Sequence, residues 1–126
     1  MAKILIIDDN EEIRSLLRQV FQATGHEVAQ AADGDEGLRS CRAQRMDVVI
    51  TDIVMPNKEG LETIMELRRE FPGVKIVAMS GGARSMAMNF LPTAKKLGAD
   101  FTIAKPFAVA EMLALVDEAL GQPPGS

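Results

Sequence analysis

An open α/β sheet of five parallel strands is the fold the sequence predicts, and three observations predict it. Short apolar runs alternate with longer stretches of helical periodicity, five times between residues 3 and 120. The stronger runs, such as Ile4-Leu5-Ile6-Ile7, are continuously apolar, the pattern of strands buried on both faces. Turn and cap residues fall at the joints between runs. Strict alternation requires parallel strands joined by right-handed crossovers, with helices on both faces. No self-similarity at a fixed period is evident, which sets a solenoid aside.

The first strand, Ile4 to Ile7, stops at Asp8-Asp9. A helix is expected from Glu11 to Thr24, with Ile13, Leu16, Leu17, Val20 and Phe21 on one face and Arg14, Arg18 and Gln22 on the other. Asn10 suits its N-cap, Glu11 and Glu12 its positive end, and Gly25 its stop. Glu27 to Ala31 reads as a weak strand, and Gly34 to Gln44 as a helix capped by Asp33. Asp47 to Thr51 reads as a strong strand ending at Asp52. Met55-Pro56-Asn57 breaks the chain, and a helix from Gly60 to Phe71 turns Leu61, Ile64, Met65 and Leu67 inward. After the Pro72-Gly73 turn, Val74 to Met79 is a strand ending at Ser80-Gly81-Gly82. Pro92 suits a first helical turn, so the fourth helix is expected to start late, near Phe90 or Leu91, and to end before Gly98. Asp100 to Ala104 is the last strand, ending at Lys105-Pro106, and Phe107 to Leu120 the last helix. Residues 1–121 are expected to form one domain and 122–126 a tail or linker stub.

Composition removes several functions. The 126 residues carry 14 Lys plus Arg against 18 Asp plus Glu, a net charge of −4. That acidic balance argues against direct nucleic-acid binding, which needs a basic face. A hydrophobic share of 47% with 25% charged residues is that of a folded domain, not a disordered chain. The single cysteine, Cys41, excludes an internal disulfide and suits a reducing cytoplasm. No apolar run nears the roughly 20 residues that span a bilayer, and the N-terminus lacks a signal-peptide plan. A cytoplasmic protein without membrane contact is expected.

The chemistry gathers at strand ends. Asp8-Asp9 close the first strand, Asp52 the third, Ser80 the fourth and Lys105 the fifth. In a parallel sheet these carboxyl ends share one edge, where open α/β sheets bind ligands. Three carboxylates there repel one another, by about 4 kcal/mol for two charges 4 Å apart at an effective dielectric of 20. A hard cation, Mg²⁺ or Mn²⁺, relieves this, since no His or Cys is at hand. Lys105 and the Ser80 hydroxyl supply the further donors that stabilise a phosphoryl group. One carboxylate must then be the nucleophile, and Asp52, alone at its strand end, is the best placed.

In order along the chain, Ile6-Ile7-Asp8-Asp9-Asn10, Asp47 through Asp52 to Met55-Pro56, Met79-Ser80-Gly81, and Gly98-Ala99-Asp100 running to Lys105-Pro106-Phe107 resemble the receiver domain of bacterial two-component response regulators, the CheY-like family. The resemblance covers residues 3–120 and implies strand order 2-1-3-4-5. It implies that Asp52 accepts a phosphoryl group from a partner phosphohistidine, and that Asp9, Asp52 and the Val54 carbonyl ligate Mg²⁺. Asp8 would act through metal-bound water, Ser80 would turn to the phosphoryl oxygen, and Lys105 would pair with it. A cis Lys105-Pro106 bond is implied too. A sensor histidine kinase or phosphotransfer protein would be the donor. A downstream protein would dock on the face from Pro92 to Leu120, and a homodimer could form on phosphorylation.

Two departures stand out. The family's switch aromatic falls at Thr102, and Phe101, one residue away, points to the other face. The span from Ser80 to Lys105 is long, with the surplus in Gly81 to Asn89, a loop expected to be mobile and to reorder on phosphorylation. Asp8-Asp9 taken alone would serve as a turn and cap. Ser80-Gly81-Gly82 lacks P-loop spacing, and no GxGxxG follows the first strand. His26 reads as a surface turn residue, Cys41 as packing, and Arg68-Arg69 and Lys95-Lys96 as solvated helix faces. A Mg²⁺-dependent aspartyl-phosphate phosphatase is the enzymatic alternative. It wants an acid two residues after the nucleophile, where Val54 stands. A degenerate receiver that only binds is the other alternative. The expectation is a switch that catalyses only its own phosphorylation and dephosphorylation, with a slowly decaying acyl phosphate.

Overall fold

The computed structural model describes residues 2–53, 60–80 and 92–121. Val54, the Met55-Pro56-Asn57 break, the long 81–91 segment with the expected start of the fourth helix, and the 122–126 tail lie outside those residues. The strands are β1 (Lys3–Ile7), β2 (Glu27–Ala31), β3 (Val48–Asp52), β4 (Lys75–Ser80) and β5 (Phe101–Ala104). Between them run α1 (Glu11–Ala23), α2 (Gly34–Ala43), α3 (Gly60–Glu70) and α4, helical over 92–97; α5 (Val109–Gly121) closes the order. The sheet order is β2-β1-β3-β4-β5, and every pairing is parallel.

The continuous apolar runs have the cause expected of them. Leu5, Ile7, Val49, Ile76 and Ala78 face one core with Leu38, Ile64, Leu67 and Ala94. Their alternate neighbours Ile4, Ile6, Val48, Ile50, Val77 and Met79 face a second core with Leu17, Phe21, Met112 and Val116. Two layers of helix thus leave the three central strands buried apart from the half-buried Lys3. β2 sits at the sheet edge with Glu27 and Gln30 exposed, which is why its signal is weak.

Element ends move by one or two residues. α1 gives way to Thr24 as its C-cap, and Gly25 follows with φ 90°, a left-handed stop that glycine accommodates. Asp47 stays out of β3 because its carboxylate accepts the Lys3 N–H at 2.8 Å. α5 begins later than expected, with the Ala108 carbonyl accepting the Glu111 and Met112 N–H groups. Two expected inward residues face out. Leu16 is 42% exposed because the buried stripe of α1 is centred on Leu17 and Phe21. Met65 is 50% exposed because it lies about 100° round α3 from buried Ile64.

Arg68 also departs from expectation. It is no solvated face residue: its guanidinium donates to the Gly98, Pro72 and Val74 carbonyls and pairs with Asp100 at 2.7 Å. The same Asp100 carboxylate accepts the Ile76 N–H. One side chain therefore ties α3 to the start of β4 and to the turn before β5, on the edge away from the strand ends. His26 is a half-buried turn residue whose Nδ1 accepts the Ala2 N–H at 3.1 Å. Cys41 is buried in the first core and lines a cavity of about 490 Å³ together with Met46, Phe71, Val74 and Leu120. The cavity lies at the amino edge of β3 and β4, opposite the polar strand ends. Burial, with Glu70 adding to it, pushes the Cys41 thiol up to about 11.

Two outcomes follow from this packing. Arg68→Ala takes the guanidinium donor from partly buried carbonyls and leaves the Asp100 carboxylate with its Ile76 N–H but without a countercharge, and should cost about 2–3 kcal/mol in urea unfolding at unchanged m-value. Between 9.0, the ordinary thiol value, and about 11, unfolded Cys41 has lost a proton that the folded chain keeps. Stability should therefore fall as pH rises through that window, and Cys41→Ala should flatten the fall in urea titrations at pH 8 and 10.5.

Candidate functional site

The polar strand ends meet at one edge because the strands are parallel and in register. Asp52 pairs with Met79, and Ser80 with Ala104, so Ser80 lies one residue past the Asp52 level, between it and Lys105. Asp8 follows β1, which pairs with β3 on its other side.

Asp8 is completely buried and Asp52 nearly so, while Asp9 is exposed. Ligand oxygens of the three carboxylates lie within 4.8 Å of one another. The Lys105 ammonium reaches both buried members, at 2.6 Å from Asp8 Oδ2 and 3.5 Å from Asp52 Oδ2. Lys105 is itself held by its backbone N–H, which donates to the Ser80 carbonyl at 2.7 Å. The Lys105-Pro106 bond is cis, as the resemblance implies.

The start of α1 holds Asp8. Its Oδ1 accepts the Asn10 N–H at 2.9 Å, and Asn10 caps the helix by accepting the Glu12 and Ile13 N–H groups. Arg14, expected on the outer face, instead returns its guanidinium to the Asp8 carbonyl at 2.6 Å. Its place in the first turn after the Asp pair was the available signal. The Thr51 hydroxyl donates to the Asp52 carbonyl at 3.1 Å, in a wholly buried position.

The Ser80 hydroxyl is buried and has no hydrogen-bond partner among the described residues. Leaving such a group unsatisfied costs about 1–3 kcal/mol, so its place between Asp52 and Lys105 asks for an acceptor. Thr102 pairs with Ala78 and is half-buried, whereas Phe101 packs into the second core with Ile103. The two residues thus point to opposite faces, as strand alternation requires.

The donor set suits a hard divalent cation. It consists of carboxylate oxygens alone, and the cluster stays net negative with Lys105 in place. An octahedral Mg²⁺ spaces its ligand oxygens roughly 3–4 Å apart, inside the 4.8 Å that bounds these three, with water making up the rest.

The model for the response regulator receiver domain matches residues 4–117. The chain belongs to that family, the receiver domains of two-component signalling. Over 110 residues it is 32% identical to sporulation initiation phosphotransferase F of Bacillus subtilis, covering 87% of this chain and 86% of that protein. It is 35% identical to the DNA-binding transcriptional regulator NtrC of Azospirillum brasilense, across 94% of this chain but only 24% of that protein. It spans about half of the transcriptional regulatory protein PrrA of Mycobacterium tuberculosis, 48%, at 34% identity. The response regulator TrrA of Thermotoga maritima, solved with Mg²⁺-BeF, superposes with TM-score 0.83 at 33% identity, covering 95% of this chain and 100% of that one. No helix among the described residues is long and apolar enough to cross a membrane.

Crowded carboxylates give a testable asymmetry. Without divalent metal, Asp9→Asn should raise stability by about 1 kcal/mol, because it removes one repelling charge. At saturating Mg²⁺ the order should reverse, since the wild type alone gains the full binding energy. Urea midpoints in EDTA and in Mg²⁺ check both signs.

Proposed function

We propose that this receiver is a phosphorylation-activated switch with Asp52 as the phosphoacceptor. The observation that carries the reading is the Lys105 ammonium held against a nearly buried Asp52 inside a cluster of carboxylates. In the proposed transfer an Asp52 carboxylate oxygen forms the new O–P bond. The P–N bond to the donor imidazole breaks, and its electron pair leaves on the imidazole nitrogen. Lys105 then has a phosphoryl oxygen to pair with in place of Asp52, and the Ser80 hydroxyl gains an acceptor that the described residues do not supply.

Asp9 and Asp52 would hold Mg²⁺ directly, with the Val54 carbonyl, and Asp8 would hold it through water; Mn²⁺ suits the same donors. The ion, when bound, supplies positive charge to the phosphoryl oxygens. Asp8, buried and anchored by Asn10 and Lys105, keeps the cluster in place.

Energy for switching comes from contacts the phosphoryl makes in only one conformation, among them Ser80. The donor is a phosphohistidine on a sensor kinase or phosphotransfer protein. The protein target docks on α4, β5 and α5. With Thr102 at the aromatic position, the shift of Ser80 has no aromatic ring on that strand position to move. Phosphatase turnover is disfavoured because Val54 offers no acid or base. The expectation of no nucleic-acid contact is kept for residues 2–121 alone, because a relative about four times as long is named a DNA-binding regulator. A cytoplasmic location is proposed on the same footing.

Intact mass after incubation with acetyl phosphate and Mg²⁺ tests the reading. The wild type should gain one phosphoryl group, and the gain should vanish in EDTA and in Asp52→Ala. Lys105→Met should bind the ion yet gain the group at least tenfold more slowly. A gain that persists in Asp52→Ala would move the acceptor elsewhere.

A further inference from the structure

Gly60, the first residue of α3, lies directly against the backbone of Asp52 and Ile53. A Cβ placed there would fall inside 3.0 Å of the Asp52 carbonyl oxygen, Ile53 Cα and the Ile53 carbonyl oxygen. These are backbone atoms and cannot rotate aside. The φ of Gly60 is not left-handed; among the described glycines only Gly25 and Gly98 have positive φ. The requirement at position 60 is therefore space.

The same contact carries a bond. The Gly60 N–H donates to the Ile53 carbonyl at 2.7 Å, and the Ile53 N–H donates to the Met79 carbonyl at 2.9 Å. Ile53, the residue after Asp52, is thus held from β4 through its N–H and from the start of α3 through its carbonyl. The positive end of α3 faces the Ile53 carbonyl and strengthens the grip. A side chain at 60 would push α3 away, loosen that bond and shift the Asp52 backbone relative to Asp8 and Asp9.

We propose that Gly60 is a positioning residue for the Asp52 site, resting on the phosphoacceptor reading above. Its missing side chain lets α3 start against the Asp52–Ile53 peptide, which fixes the Asp52 carboxylate for a divalent cation. A small octahedral ion tolerates little displacement of its oxygens, so this grip should appear in metal affinity before it appears elsewhere.

The test compares Gly60→Ala with Gly98→Ala in the full chain. Gly98 has φ 132°, and a Cβ there would crowd Arg68, so its substitution also destabilises, but away from the carboxylates. Mn²⁺ binding is read from the electron-paramagnetic-resonance signal of the free ion, with urea unfolding in EDTA alongside. Both variants should lose stability. Only Gly60→Ala should bind Mn²⁺ roughly tenfold more weakly, with its slowed phosphorylation recovering at high Mg²⁺. Should Gly60→Ala be unfolded in buffer, the same titration in trimethylamine N-oxide restores the compact state without adding metal ligands. Equal Mn²⁺ affinity in Gly60→Ala and wild type would overturn the role of Gly60 while leaving the phosphoacceptor reading intact. A wild type that neither binds Mn²⁺ nor gains a phosphoryl group would overturn that reading itself.

Discussion

A single ammonium group holds the functional edge together. Lys105 reaches across 97 residues of sequence to Asp8 and across 53 to Asp52. Those two carboxylates are buried side by side, where their mutual repulsion at an effective dielectric of 20 is about 3–4 kcal/mol. A buried pair of this kind adds little net stability, since the charges must first leave water. What it does is make a cluster of like charges tolerable until a ligand arrives. The parallel topology makes this possible, because only strands running the same way bring the ends of β1, β3, β4 and β5 to one edge.

The rest of the fold holds that edge in place. Asn10 caps α1 while its N–H binds Asp8, so the first helix cannot shift without moving a carboxylate. Gly60 presses α3 onto the peptide after Asp52. Ser80 keeps a buried hydroxyl with no partner among the described residues, a local cost that a phosphoryl oxygen would remove. At the opposite edge Arg68 satisfies several carbonyls at once and pairs with Asp100. Arg68 thus fastens the amino edge, while at the carboxyl edge the Ser80 hydroxyl has no partner among the described residues.

Much of this was legible in the sequence. Continuous apolar runs gave β1, β3 and β4 their burial, and polar residues at run ends marked the shared edge. Strand order entered through family resemblance, not periodicity. Side chains whose partners are far along the chain stayed hidden. Arg68 looks like any charged helix residue until the Gly98–Asp100 turn is folded against it. Arg14 sits at an outward helical position, yet its length lets it return to the Asp8 carbonyl. Leu16 and Met65 fit an apolar stripe in a linear reading, but each lies one step round the helix from the residue that is buried. Gly60 resembled an ordinary helix start, since nothing local says that another backbone will press on it.

The most direct measurement is a crystal structure of this chain with Mg²⁺ and beryllofluoride, the stable mimic of a phosphoryl group. Beryllium should sit on an Asp52 carboxylate oxygen, with Lys105 Nζ and Ser80 Oγ at hydrogen-bond distance from its fluorides and the ion on Asp9 and Asp52. Beryllofluoride bound elsewhere, or bound to Asp52 with Lys105 on Asp8 and Ser80 Oγ out of reach of the fluorides, would contradict a switch that works through Asp52, Ser80 and Lys105.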